Sequence, residues 1–244
     1  MSARVPKAAR DPMRRAWFEV KSVVAEYPRP ALWIARHRHG WPVGDDTQIV
    51  IEGFPRSATT FAEVAFRQAQ PAPVEVACHV HAPAQAIEGV RRGLPVLVVM
   101  REPEDAALSF VIRNPHLSVG QALRGWLRFH GPLVRYRDRL VVATFGQVTS
   151  DLGKVTRRVN ERFGTSFAEF EHTEENVRAC LERIDEGYRA RMEGEELERS
   201  AARPSEVREE LKNRLRREYR ARGLARLRTR ADAVYRLLTE RADG

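Results

Sequence analysis

The chain has few cysteines, few lysines and no long apolar run. Its two cysteines, Cys78 and Cys180, are too few for a disulfide framework in 244 residues, and their spacing matches no metal site. The longest apolar runs, such as Leu94–Met100, fall far short of the roughly 20 residues that cross a bilayer. These absences exclude a disulfide-stapled scaffold and a membrane-spanning protein. We expect a soluble, cytoplasmic protein without a metal.

Basic residues outnumber acidic ones, 42 to 33, which gives a formal net charge of +9. Nearly all of them are arginines, since lysine occurs only at Lys7, Lys21, Lys154 and Lys212. In the C-terminal third the arginines alternate with glutamates, a pattern typical of a solvated helix face rather than a nucleic-acid patch. The charge therefore predicts a small anionic ligand and no nucleic acid. The positive net charge is also compatible with peripheral contact with an anionic membrane.

Four short apolar runs rich in β-branched residues are predicted strands: Gln48–Glu52, Val74–Cys78, Val96–Met100 and Leu140–Thr144. Helical patterns lie between and after them: Thr60–Gln70, Pro83–Arg92, Pro103–Arg113, Ser118–Arg137 and Val148–Phe163. Short apolar strands that alternate with helices are typical of a parallel sheet covered on both faces. The sequence therefore predicts an α/β fold of three layers, with helices flanking a central parallel sheet.

The chain divides into three parts by its residue pattern. Residues 1–46 show no sheet pattern; Ala16–Tyr27 is a predicted amphipathic helix, and Pro28 is expected to break the chain after it. Residues 47–170 carry the alternating strands and helices. Residues 171–244 are highly charged and almost wholly helical in pattern, so we expect a helical C-terminal extension of the same domain. The oligomeric state stays open.

Val50–Phe61, with the sequence VIEGFPRSATTF, is the most informative segment of the chain. An apolar strand end runs into a glycine and a proline, and then into two threonines that open a predicted helix. Such a loop aims backbone N–H groups and hydroxyls at one spot, at the positive end of a helix dipole, and favours a phosphate there. Arg56 lies in the middle of the loop, where a cation can stabilise charge on a transferred group.

Three interpretations compete for this loop. A P-loop of an ATP-dependent kinase ends in Gly-Lys before Ser or Thr, whereas this loop has no lysine and Ala58 precedes Thr59. A strand-to-helix turn without a ligand is the second interpretation. The third is a site for a nucleotide 5′-phosphosulfate, which needs a second phosphate site elsewhere in the chain.

A second segment provides candidates for that site. The predicted strand Val96–Met100 delivers Arg101 at its carboxyl end, where ligands lie in open α/β sheets. Ser109 follows eight residues later, about two turns into the next predicted helix. An arginine at a strand end and a serine on the following helix can hold a phosphate together.

The two segments together resemble the PAPS-dependent sulfotransferase family. In that family a Lys/Arg-Ser-Gly-Thr-Thr-aromatic loop binds the 5′-phosphosulfate of 3′-phosphoadenylyl sulfate (PAPS), and an Arg followed eight positions later by Ser binds its 3′-phosphate. Arg56–Phe61 (RSATTF) matches the first motif, and Arg101 with Ser109 matches the second at the family's spacing. The resemblance covers about residues 47–167 and implies a P-loop-like fold.

The resemblance implies transfer of a sulfuryl group from PAPS to a hydroxyl or amine of a small-molecule, glycan or lipid acceptor, without a metal. The implied donor-binding residues are Arg56, Ser57, Ala58, Thr59, Thr60, Phe61, Arg101 and Ser109. Among them Arg56 would also act in catalysis by neutralising charge on the transferred group, and Phe61 would stack near the adenine.

Four residues are candidates for the catalytic base. The family often carries a His-x-Pro turn whose histidine is the general base, and His81-Ala82-Pro83 matches it. His81 is therefore the first candidate, because an imidazole titrates near neutral pH. His79 lies two residues earlier and is expected to face the same way. Glu52 and Glu63 flank the loop and are further candidates.

Two departures from the family pattern bear on the site. Ala58 replaces the motif glycine, so we expect the loop to reach its anion without a positive φ at that position. The family's Lys-Gly phosphate loop is absent from the C-terminal part, and Arg203, or Arg208 after it, is the candidate replacement at the 3′-phosphate. Two alternatives to a sulfotransferase therefore remain: a P-loop-type small-molecule kinase and a catalytically silent nucleotide-binding protein.

Overall fold

The computed structural model describes residues 7–37, 40–190 and 206–240. The strands are β1 (Ile49–Gly53), β2 (Val76–Cys78), β3 (Val96–Met100) and β4 (Val141–Thr144). The helices are α1 (Lys7–Val24), α2 (Pro28–Arg36), α3 (Thr59–Ala69), α4 (Pro83–Arg91), α5 (Pro103–Arg113), α6 (Val119–His130), α7 (Phe145–Ser150), α8 (Leu152–Phe163), α9 (Glu174–Arg189), α10 (Glu206–Tyr219) and α11 (Ala225–Thr239). Two 3₁₀ segments are Gly131–Arg139 and Arg222–Leu224.

The four strands form one parallel sheet in the order β2-β1-β3-β4. The chain leaves β1 to one side, through α3 to β2, and returns through α4 to β3 on the other side of β1. The strand order therefore reverses between β1 and β3. In open α/β sheets, ligands bind outside the carboxyl ends of the strands at such a switch point.

Alternate residues of the strands enter two separate cores. Val50, Val98 and Val142 face the core that α5 and α6 cover, whereas Ile51 and Val99 face the core that α3 and α8 cover. Both faces of each strand are buried, which is why the strands are apolar runs rather than alternating patterns. The predicted α/β fold, three layers with a central parallel sheet flanked by helices, is confirmed.

The C-terminal helices contribute to both cores. Tyr219, at the end of α10, and Ala231 and Leu238, on α11, are buried in the core beside α5 and α6. Cys180 and Ile184 of α9 are buried in the core beside α3. The helical extension is present, while the three-part division of the chain stays a prediction.

Several element boundaries differ from the predictions. Pro28 begins α2 instead of breaking the chain, because the missing N–H of a proline is harmless at the first position of a helix. The predicted helix Ser118–Arg137 ends at His130 and continues as a 3₁₀ segment from Gly131. The predicted helix Val148–Phe163 is two helices, and Asp151 between them caps the second through the N–H of Lys154.

None of the helices within the described ranges is long and apolar enough to cross a membrane. Both cysteines are free and buried, and burial raises the pKa of each thiol. They therefore act as small apolar side chains of the core.

A buried histidine makes the stability of this core sensitive to acid. His130 lies against Trp126, with the ring centroids 4.1 Å apart, and its Nδ1 is 3.0 Å from the Trp126 carbonyl oxygen. The ring is completely buried, and burial lowers its pKa from 6.5 to about 3. The folded protein therefore holds this imidazole neutral.

We predict that acid destabilises the wild type through His130. Below about pH 6.5 the unfolded chain takes up a proton that the folded chain refuses until about pH 3, so falling pH favours unfolding. The free energy of unfolding should lose about 1.4 kcal/mol per pH unit from this group. Denaturant titrations between pH 7 and 5 should show a shallower dependence in His130→Phe. The exposed control His37→Gln should keep the wild-type slope, and equal slopes in wild type and His130→Phe would contradict the assignment.

Candidate anion-binding site

A cavity of about 1710 Å³ opens at the carboxyl edge of the sheet, outside β1 and β3. The loop after β1, Arg101 after β3 and the histidines after β2 all contribute to its wall. Its basic lining residues are Arg14, Lys21, Arg56, Arg101, Arg113, Arg183 and Lys212. Because positive charge dominates the wall, the cavity favours an anionic ligand.

Close packing at the end of β1 requires Gly53. A Cβ at this position would lie 2.5 Å from the Val99 carbonyl oxygen and 2.6 Å from Thr59 Oγ1. Both distances are too short for carbon, so only glycine lets the loop pass between β3 and the start of α3. The glycine thereby places the first turn of α3 at the edge of the cavity.

The loop itself bends through two residues in the left-handed region. Arg56 has φ 75° and Ala58 has φ 69°. The expectation that the loop avoids positive φ at Ala58 is therefore wrong: this alanine adopts the conformation that suits a glycine, at a cost in strain. Left-handed residues that alternate with ordinary ones make successive backbone N–H groups converge, which is the geometry of an anion-binding nest.

The start of α3 has no side-chain cap. Ala58 occupies the N-cap and has no side-chain oxygen to accept from the first-turn N–H groups. Thr59 lines the cavity, and its hydroxyl has no hydrogen-bond partner among the described residues. The Ser57 hydroxyl has none either, but Ser57 is completely buried and does not line the cavity. The loop therefore offers N–H groups to a ligand, and the unpartnered Thr59 hydroxyl lies buried beside them.

The second set of predicted residues reaches the same cavity from β3 and α5. Ser109 accepts a hydrogen bond from Arg56 Nε at 3.1 Å, so the two motifs touch directly. Arg101 donates from Nη1 to the Arg56 carbonyl oxygen at 3.3 Å and pairs through Nη2 with Asp105 at 3.3 Å. Its buried Nε has no partner within the described ranges. The structure thus brings Arg56, Arg101 and Ser109 together.

An aromatic ring orients Arg101. The Arg101 guanidinium carbon lies 4.3 Å from the centroid of the Phe145 ring, within cation–π range. Phe145 follows β4 directly and lines the cavity. Sequence reasoning missed its role, although its place at a strand end marked it as a candidate.

A buried carboxylate organises the other wall of the cavity. Glu52 on β1 is completely buried, and its Oε1 accepts from the Gly53 N–H at 3.0 Å. Its Oε2 accepts from the Val80 N–H at 3.0 Å and the His81 N–H at 3.1 Å. Glu52 thus ties the end of β1 to the segment that follows β2, and it is a structural anion rather than an exposed base.

His81 lies between Glu52 and the cavity. Its Nδ1 is 2.9 Å from the Gly53 carbonyl oxygen and 3.5 Å from Glu52 Oε1. The carbonyl can only accept, so Nδ1 carries a proton and Nε2 is the nitrogen that can take one up. Burial opposes the charged ring, but the hydrogen bond and the charge of Glu52 outweigh it and raise the pKa of His81 above 6.5.

The other two candidates for the base pair with each other. His79 Nε2 lies 3.8 Å from Glu63 Oε2, and Glu63 also forms an ion pair with Arg67. Burial opposes charge on Glu63, yet the hydrogen bonds from His79 and Arg67 hold the pKa of the carboxyl below its usual value. A carboxylate held in this way is a weak base, so the geometry favours His81.

Backbone strain is concentrated around this cavity. Within the described residues, the non-glycine positions with positive φ are Arg56, Ala58, His79 and His81, and all of them line the cavity. Such conformations cost roughly 1–3 kcal/mol each and persist only where the surrounding structure enforces them. Clustering of strain at a single cavity makes that cavity the candidate functional site.

The remaining predicted residues are placed as follows. Thr60 lines the cavity. Phe61 touches it but packs mostly inward, with its ring centroid 6.3 Å from that of Phe170 and 6.0 Å from that of His172. Little of this ring is exposed for stacking on a base. Arg203 lies outside the described residues, as does the side chain of Arg208.

The wall also includes residues that sequence reasoning did not assign. From the N-terminal segment come Arg14, Trp17 and Lys21, and from the C-terminal helices come Arg183 and Lys212. No motif marks them, because they reach the cavity through packing of distant parts of the chain.

Fold and site together define a parallel α/β protein with a candidate anion-binding loop at the switch point of its sheet. The chain matches no known protein-family model, and no curated protein matches it in sequence. Among solved structures it is similar to mouse sulfotransferase SULT7A1 complexed with PAP, with 12% identity over 79% of this chain and 91% of that chain and a TM-score of 0.42. At so low an identity, what this chain binds has to follow from its own side chains.

We predict that Glu52→Gln lowers the pKa of His81. The substitution removes the negative charge that opposes the effect of burial, so the pKa should fall to or below 6.5. Titration of the His81 ring protons by NMR measures the shift. Glu63→Gln is the matched control, since it removes a carboxylate beside His79 and should leave His81 unchanged. An unshifted His81 in Glu52→Gln would contradict the assigned pairing.

Proposed function

We propose that this chain is a sulfotransferase that moves a sulfuryl group from PAPS to a hydroxyl or amine of an acceptor. One observation carries the proposal: two groups of anion-binding residues share a single cavity and are joined by the hydrogen bond from Arg56 to Ser109. A nucleotide with phosphate on both its 5′ and its 3′ oxygen needs two such groups at short range. A nucleoside triphosphate needs one continuous set of phosphate-binding residues, including a lysine that this loop lacks.

The loop after β1 is the proposed site for the 5′ end of the donor. The N–H groups of residues 56–60, the Thr59 hydroxyl and the dipole of α3 all favour a dianion there. Uncapped N–H groups and an unpartnered hydroxyl are costly unless water or a ligand satisfies them. A phosphate is the ligand that matches them in charge and in number of acceptor oxygens.

Arg101 and Ser109 are the proposed site for the 3′-phosphate. The Phe145 ring and Asp105 hold the guanidinium in position, while its Nε remains unpartnered within the described part of the chain. An arginine prearranged in this way loses little entropy when it binds a phosphate through two nitrogens. Ser109 adds a hydroxyl to the same phosphate.

Arg56 and His81 are the proposed catalytic residues. Bound PAPS supplies a sulfuryl group on a good leaving group: the acceptor oxygen forms the new O–S bond as the bond from sulfur to the phosphate oxygen breaks, and PAP leaves with that electron pair. Arg56 stays protonated and neutralises charge near the loop. His81 takes the acceptor proton on Nε2, with Nδ1 held by Gly53 and the ring held by Glu52.

Residues 1–46 are the proposed acceptor-side cover. Arg14, Trp17, Lys21 and Trp41 of this segment line the cavity. In this proposal residues 47–170 form the donor-binding core, and residues 171–244 complete its wall through Arg183 and Lys212.

We predict that PAP and PAPS stabilise the protein and that ATP does so far less. A ligand at a hundred times its Kd raises the free energy of unfolding by about 2.7 kcal/mol, which a thermal melt detects. We also predict that Arg101→Gln weakens PAP binding at least about tenfold, because the charged hydrogen bond from the guanidinium to the 3′-phosphate is lost. Arg113→Gln, on the same cavity wall but outside both groups, is the matched control and should change the affinity little.

Stabilisation by ATP with none by PAP would favour the kinase alternative. Equal loss of PAP affinity in Arg101→Gln and Arg113→Gln would mean that PAP responds only to the overall positive charge of the cavity, and it would contradict a specific contact with Arg101. PAP binding without release of PAP from PAPS by any acceptor would favour the catalytically silent alternative.

We predict that His81→Ala lowers turnover about a hundredfold or more with little effect on PAP affinity, since a general base contributes to catalysis but not to donor binding. Release of PAP from PAPS, with a panel of phenols, sugars and lipid alcohols as acceptors, measures turnover.

In the wild type, kcat/KM should rise as the pH rises through the pKa of His81, because only the neutral ring accepts a proton. His79→Ala is the control, and a larger loss there than in His81→Ala would transfer the role to His79.

A further inference from the structure

Helix α1 exposes several of its large apolar side chains on the surface of the molecule. Met13 is 64% exposed, Trp17 52% and Val20 54%. Their spacing of four and three residues places them on one stripe of the helix. Tyr27, in the turn that follows α1, is 60% exposed.

The inward side of α1 is largely polar. Glu19 accepts from Arg124 at 2.7 Å and forms an ion pair with Arg128. Phe18 packs its ring against Phe110 at 5.6 Å, and Arg124 and Arg128 of α6 add hydrogen bonds to Glu19 and Ser22. A helix on the surface of a globular protein normally presents its apolar stripe to the core. The exposed stripe of α1 departs from this arrangement and is available for contact with something outside the chain.

The exposed charges beside the stripe have one sign. Among the described side chains of α1, Arg14, Arg15 and Lys21 are exposed, whereas the carboxylate of Glu19 is taken up by arginines of α6. A contacting surface therefore meets apolar side chains flanked by positive charge. An anionic bilayer matches both features, since lipid tails take the apolar side chains and headgroup phosphates take the cations.

We propose that α1 binds flat on an anionic membrane surface through Met13, Trp17 and Val20. A helix with a tryptophan on its apolar side and arginines and lysine at the edges suits the boundary between headgroups and acyl chains. A second copy of this chain fits the stripe less well. A symmetric contact would bring the same basic edges together, in a protein that already carries a net charge of +9.

The attachment would place the candidate site beside the lipid. Arg14, Trp17 and Lys21 of α1 line the cavity, so α1 is shared by the stripe and the cavity wall. A hydroxyl on a lipid headgroup is then the acceptor within reach. This consequence for the acceptor rests on the proposed function, whereas membrane binding itself does not.

Cosedimentation of the full chain with vesicles tests the proposal. Binding to mixed phosphatidylcholine and phosphatidylglycerol vesicles should exceed binding to pure phosphatidylcholine at least about tenfold and should weaken with added salt. The double variant Met13→Gln with Val20→Gln should bind the mixed vesicles at least about tenfold more weakly, since less apolar area enters the lipid. Leu237→Gln is the matched control, because Leu237 is an exposed apolar residue on α11, and it should bind like the wild type.

Three outcomes would overturn the proposal. The first is that the wild type does not bind mixed vesicles. The second is that the double variant binds them with the same affinity as the wild type. The third is a dimer in sedimentation velocity that the double variant dissociates, which would assign the stripe to a second copy. PAP stabilisation measured on the same samples keeps the two proposals apart, because it tests the donor site and should be equal in the wild type and the double variant.

Discussion

The candidate site depends on the buried carboxylate of Glu52. An anion without access to water is costly unless hydrogen bonds and a partner charge compensate it, and Glu52 has three backbone N–H donors and the His81 ring. These contacts join the end of β1 to the segment after β2. The loop after Gly53 and the histidine that faces the cavity are therefore held by one group.

Different neighbours hold the strained backbone on the two walls of the cavity. Arg56 and Ala58 hold left-handed conformations on one wall, and His79 and His81 hold them on the other. On the histidine wall, the N–H of His81 is bound to Glu52, and the ring is bound to Gly53. On the loop wall, the carbonyl oxygen of Arg56 is bound by Arg101, which the Phe145 ring positions. The residues on both walls of the candidate site are thus held in place by their own neighbours.

Much of the fold was predictable because apolar runs report burial directly. β3 and α5 match their predicted bounds, and the parallel sheet follows from strands that are apolar on both faces. The pairing of the loop with Arg101 and Ser109 was predictable too, since parallel strands end at the same edge of a sheet. The left-handed φ of Ala58 was not, because an alanine ordinarily disfavours this conformation and nothing in the neighbouring sequence signals it. Likewise, nothing local distinguishes Glu52 as a buried anion from Glu63 as a partly exposed one.

The sequence by itself determined the class of fold and the meeting of Arg56 with Arg101 and Ser109, because these depend on local patterns and on strand ends. Only the tertiary structure decided which histidine pairs with a buried carboxylate, which aromatic ring stacks on Arg101, and which side of α1 faces outward. Each of those depends on contacts between segments far apart in the chain: Glu52 with His81, Arg101 with Phe145, and Glu19 with Arg124. Sequence patterns describe a residue's neighbours along the chain, whereas packing in three dimensions selects its partners.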